Sequence, residues 1–180
     1  MPASTHITQS IRAEFLRYKE LAEKAIAQLH PADLTAAPPG GGNSIATICW
    51  HVSGNLRSRF SEFLTSDGEK PWRKRDEEFA ARNVTREELL AKWQQGWDVL
   101  LESLAGLTDA HLHQQVSIRG QTLTVTEALV RSLAHTASHV GQIVYAAKML
   151  RGEQWTYLSI PPGQSDTYNQ NPTLDKPPAR

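Results

Sequence analysis

Apolar side chains recur every three or four residues along four stretches of this chain, a spacing that restricts it to helices packed side by side. The first stretch runs from Ile7 through Ile11, Phe15, Tyr18, Ala22 and Ala25 to Leu29, and His30-Pro31 stops it. A connector rich in proline and glycine, PADLTAAPPGGGNS, ends in Asn43 and Ser44, either of which can cap the next helix. Ile45, Ile48, Cys49, Val52, Leu56, Phe60 and Phe63 mark that second helix. Thr85 and Glu88 form a capping box ahead of the third, whose stripe of Leu89, Trp93, Trp97, Leu100 and Leu104 closes near Gly106. Thr124 and Glu127 open the fourth in the same way, and it runs to Arg151 and ends at Gly152.

Between these stretches the period changes. Residues 65–83, TSDGEKPWRKRDEEFAARN, read as a long surface loop with one helical turn. Gln115 to Ile118 and Thr122 to Thr124 read as short strands around a tight turn at Arg119-Gly120-Gln121. The tail after Gly152 carries too many proline, asparagine and glycine residues for regular structure. The expected fold is all-α: a four-helix bundle in a single domain, residues 1–180, with a small β-hairpin as an ornament before the last helix and an extended C-terminal tail. Residues 1–5 and about 165–180 are expected to be loosely ordered.

Nineteen lysines and arginines balance nineteen aspartates and glutamates, so no global field draws in nucleic acid or an anionic membrane. The first fifteen residues hold no basic-then-apolar signal, and no window approaches the roughly 18 apolar residues of a membrane span. One cysteine, Cys49, excludes an internal disulfide framework and a Cys-rich metal site. A soluble, unprocessed cytoplasmic protein is the expectation.

Within the fourth helix the chain reads HTASHVGQ, with His135 and His139 four apart. Residues so spaced project from one face with Cβ atoms about 5 to 6 Å apart, and two imidazoles there can grip one ion. They sit beside the stripe of Leu129, Leu133, Ala137, Val140, Val144 and Ala147, toward the bundle interior or its rim. His51 borders the stripe of the second helix, with Asn55 one turn further along. Three imidazoles from two helices would make a metal site with an open position, the arrangement of catalytic rather than structural ions. Histidines bordering a core also often hydrogen-bond a carbonyl or a neighbouring side chain, and spacing alone leaves both readings open.

The order of elements, the stretch SIATICWHVSGNLRSR in the second helix and the H-x-x-x-H-x-G-Q pattern of HTASHVGQ together resemble the DinB/YfiT-like superfamily of metalloproteins over nearly the whole chain. GNLRSRFSEFLTSDGEKPWRKRDEEF and LSIPPGQSDTYNQ resemble a branch described only as a domain of unknown function. The resemblance implies a four-helix bundle, commonly dimeric, with one divalent ion, zinc or nickel, on His51, His135 and His139. It also implies a metal-dependent hydrolase or a small-thiol S-transferase acting on a small molecule. Gly141 and Gln142 match its motif; close helix packing is the expected role of Gly141, and Gln142 is a supporting or plainly polar position.

Asn55 is read as holding a bound water or a substrate oxygen. Lys70, Arg73, Lys74 and Arg75 are read as neutralised by Asp76, Glu77 and Glu78, with a loop clamping an anionic substrate as the alternative. His111 and His113 are expected to be exposed, Cys49 a small buried side chain, and Trp93 and Trp97 core or dimer contacts. No Glu or Asp stands out as a general base. The rival from another class is a non-catalytic binding protein with a structural or vestigial ion.

Overall fold

The computed structural model of the protein describes residues 5–38 and 41–173. Four long helices, α1 (His6–Ala27), α2 (Ile45–Phe60), α3 (Arg86–Ala105) and α4 (Val125–Arg151), form the bundle. A hairpin of β1 (Gln115–Ile118) and β2 (Gln121–Thr124) precedes α4, and a short α5 (Ser165–Gln170) follows it. Helix α1 lies chiefly against α4 and α2 against α3, and α2 also touches α4. Phe15, Leu56, Trp93, Trp97, Leu129 and Ile143 are buried where these helices meet.

The helix starts follow their local chemistry. Ser44 Oγ accepts from Thr47 N–H at the head of α2, while Thr85 with Glu88 and Thr124 with Glu127 complete capping boxes on α3 and α4. The first turn of α1 is capped from about a hundred residues away. The Asp109 carboxylate accepts from Ile7 N–H at 3.2 Å, Thr8 N–H at 3.0 Å and Thr8 Oγ1 at 3.2 Å. Because Gly152 can adopt a φ of 55°, the chain leaves α4 there.

Glycine also sets the distance between α2 and α3. A Cβ on Gly96 would stand 2.6 Å from Ser53 Cα, and Ser53 Oγ donates to the Lys92 carbonyl at 2.6 Å. The expected packing role of Gly141 is not found: it is exposed, and nothing lies within 4 Å of where its Cβ would be.

Two other expectations are corrected. Helix α2 ends at Phe60, because the chain turns through Glu62 at a φ of 51°; Phe63 packs into the core from that turn. The tail is not wholly irregular: it forms a 3-10 turn at Gly152–Gln154 and the six-residue α5, and Trp155 and Leu158 pack on the core. The loose ordering expected at the ends falls partly on residues 1–4 and 174–180, which lie outside the described residues.

The hairpin is more than an ornament. Arg119 and Gly120, with φ of 55° and 71°, make the two-residue turn that suits the strand twist. The Asp67 carboxylate accepts from Ser117 Oγ at 2.5 Å, Arg119 N–H at 2.8 Å and Gly120 N–H at 2.8 Å. Those contacts tie the hairpin to the loop after α2, and Ile118 and Arg119 thereby become walls of a cavity beside α4.

Candidate metal centre

His51, His135 and His139 meet where α2 faces α4. One ring nitrogen of each lies within 4.8 Å of the other two, so the three can hold a metal ion. His51 Nε2 and His135 Nε2 are 3.2 Å apart. Two imidazole nitrogens at that distance share either one proton or one ion, and ligands about 2.0 to 2.1 Å from a tetrahedral ion stand about that far apart. Ring centroids of 4.8 Å for His51 with His139 and 4.5 Å for His135 with His139 close the cluster.

Two of the rings are oriented from behind. His51 Nδ1 donates to Glu78 Oε2 at 2.9 Å, and His139 Nδ1 donates to Gln142 Oε1 at 3.0 Å. With the Nδ1 proton held there, each Nε2 keeps its lone pair for the centre. His135 Nδ1 is buried without a partner.

Glu78 is itself gripped by a buried guanidinium. Arg73 Nε donates to Glu78 Oε1 at 2.8 Å and Arg73 Nη2 to Oε2 at 2.9 Å, with both residues less than a tenth exposed. Burial works to raise the Glu78 carboxyl; the hydrogen bonds from Arg73 and His51 and the charge of Arg73 outweigh it and hold the group below the usual carboxylate range. Gly54 makes the room, since a Cβ there would stand 2.1 Å from Glu78 Oε1.

The two imidazoles of α4 are kept neutral. Burial first, then His139, His51 and the cations Arg73 and Arg59, push His135 down to about 4. Burial also lowers His139, against the opposing hydrogen bond to Gln142. A neutral imidazole is the form that ligates a metal at neutral pH.

His51 and His135 form part of the wall of an open cavity of about 270 Å³ that Asn55, Ser132, Ile118 and several arginines complete. Asn55 therefore faces the cavity, one turn beyond His51, whereas Gln142 is exposed and reaches His139 from outside it. Among the described residues no carboxylate lines this cavity. Cys49 is fully buried, and burial pushes its thiol up, away from any role as a ligand or nucleophile. Trp93 and Trp97 are core. His111 is half-buried rather than exposed, because its Nδ1 accepts from Thr108 N–H at 2.9 Å; His113 is exposed.

Three of the loop basic residues pair locally, Arg73 with Glu78, Lys74 with Glu77 at 3.2 Å and Arg75 with Asp76 at 3.6 Å, whereas buried Lys70 donates to Ser66 Oγ and the Asp67 carbonyl instead of an acid. The Glu78–His51 bond is the contact that sequence reasoning missed. The only signal for it was three acids, Asp76 to Glu78, in a loop after a histidine-bearing helix.

Among the described residues no helix is long and apolar enough to cross a membrane. A comparison with curated proteins finds no match. Residues 3–164 match a family described as proteins of unknown function. With most of its length covered, the chain belongs to that family, DUF1572.

Proposed function

We propose that the protein is a divalent-metal enzyme of the DinB/YfiT-like class, with His51, His135 and His139 as the ligands of one zinc or nickel ion and a small-molecule substrate in the adjoining cavity. The observation that carries this reading is the convergence of three imidazoles, two of which, His51 and His135, line an open cavity rather than a closed core. His51, His135 and His139 would hold the ion, and the chemistry it would supply is a lowered pKa of a water or thiol near neutral pH. The remaining chemistry belongs to the chain. Glu78 and Gln142 hold the Nδ1 protons of His51 and His139, and Arg73 keeps Glu78 ionised and away from the cavity.

With no carboxylate of the described residues in the cavity wall to remove a proton, a nucleophile acidic enough to ionise unaided suits the site. A thiol meets that condition better than water, so small-thiol S-transfer is the first reading and hydrolysis the second. The resemblance further implies a homodimer, and the exposed side of α4, with Val130, Tyr145 and Met149, offers it a face.

The test is cobalt substitution. Addition of a low-mass thiol is expected to change the cobalt absorption spectrum while chelation leaves the helical circular dichroism intact. Unfolding on chelation, with no spectral response to thiol, would instead support a structural ion.

A further inference from the structure

The cavity above the histidines is walled by Arg59, Arg73, Arg75, Arg119 and Arg131. Their carboxylate partners number three. Glu69 serves both Arg59, at 3.1 Å, and Arg119, at 2.9 Å; Glu78 serves Arg73, and Asp76 serves Arg75. Two positive charges are left over, and Arg131 has no hydrogen bond or ion pair of its side chain with any described residue.

Arg131, exposed at its outer side, stands one helical turn before His135 on the same face of α4, so its guanidinium and the imidazoles of His51 and His135 border one space. Beside it Ser132 is only 7% exposed, and its Oγ lacks any partner although it lines the cavity. A buried hydroxyl left without a partner is costly in an ordinary core. Asn55 brings a further polar group from α2 across the same space. Unpaired charge, unpaired hydroxyl and amide thus converge in a volume of about 270 Å³, which suits a compact ligand.

We propose that Arg131, with Ser132 and Asn55, forms an anion subsite that takes the carboxylate or phosphate oxygens of a small substrate whose reacting atom lies at the histidines. Assignment of the ligand as a substrate rests on the metal-enzyme reading above. Binding of the anion itself does not.

Inorganic phosphate and succinate, titrated calorimetrically at low salt into tag-free protein both chelated and metal-loaded, test the subsite. Saturable binding to the chelated protein is expected, weakened about tenfold or more by Arg131→Gln and less by Ser132→Ala, with Arg12→Gln on the exposed side of α1 without effect. Tighter binding of phosphate or of succinate tells which oxyanion the substrate carries. Binding that needs the ion but survives Arg131→Gln, or no saturable binding of either anion, overturns the subsite while leaving the metal reading standing. If no ion binds but Arg131-dependent anion binding persists, the metal reading falls and the subsite stands.

Discussion

Glu78 decides how His51 presents itself. Its carboxylate accepts a hydrogen bond from Nδ1–H of His51 while Arg73 grips both of its oxygens, all three groups being buried. Glu78→Ala leaves a buried guanidinium with only the more distant Glu69, at 4.0 Å, as counter-charge, so a loss of about 3 kcal/mol is expected by chemical denaturation. Competitive chelator titration should show about 10- to 100-fold weaker ion binding in the same variant. Unchanged stability and affinity would remove Glu78 from the account. His135 and His139 were legible as a pair because helical spacing alone places them on one face. Glu78 was not, because it reaches His51 across 27 residues from a loop whose alternating charges read as solvated.

At the scale of elements, capping boxes and the 3.6-residue period located α3 and α4, and the strands flanking Arg119-Gly120 were readable from their alternation. What periodicity does not carry is which glycine another helix approaches. Gly96, not Gly141, is the close contact, and Gly96→Ala would force Ser53 backbone away from α3. A loss of about 1 to 3 kcal/mol is the expected outcome in thermal unfolding, and a neutral effect would contradict the packing described.

The hairpin depends on Asp67. The Ser117 hydroxyl, followed by backbone N–H groups of Glu69, Gly120 and Arg119, holds its carboxyl well below the ordinary aspartate range. A carboxylate depressed in this way adds stability above its unfolded pKa and loses it as pH falls. Asp67→Asn is therefore expected to melt lower at neutral pH and to lose less between neutrality and pH below about 4. Parallel pH curves for the two proteins would contradict the anchoring role.

For the molecule as a whole, a balanced charge leaves association to surface detail. The outward side of α4 carries Val130 at 54%, Tyr145 at 69% and Met149 at 47% exposure, with Gly141 open between them. If this face joins two copies, the protein sediments as a dimer and Tyr145→Arg shifts it to monomer; a wild-type monomer removes the dimer from the account.

The bundle itself followed from four apolar stripes, but the cavity over the histidines did not, because its wall is assembled from α2, the loop after it, the hairpin turn and α4. The most direct measurement is the metal content, by elemental analysis, of protein purified without an affinity tag, beside His51→Ala, His135→Ala and His139→Ala. About one zinc or nickel per chain, lost in each variant while the helical spectrum is kept, is the result expected from three converging imidazoles. A metal-free wild type that takes up no added divalent ion, or equal metal content in wild type and variants, would contradict it.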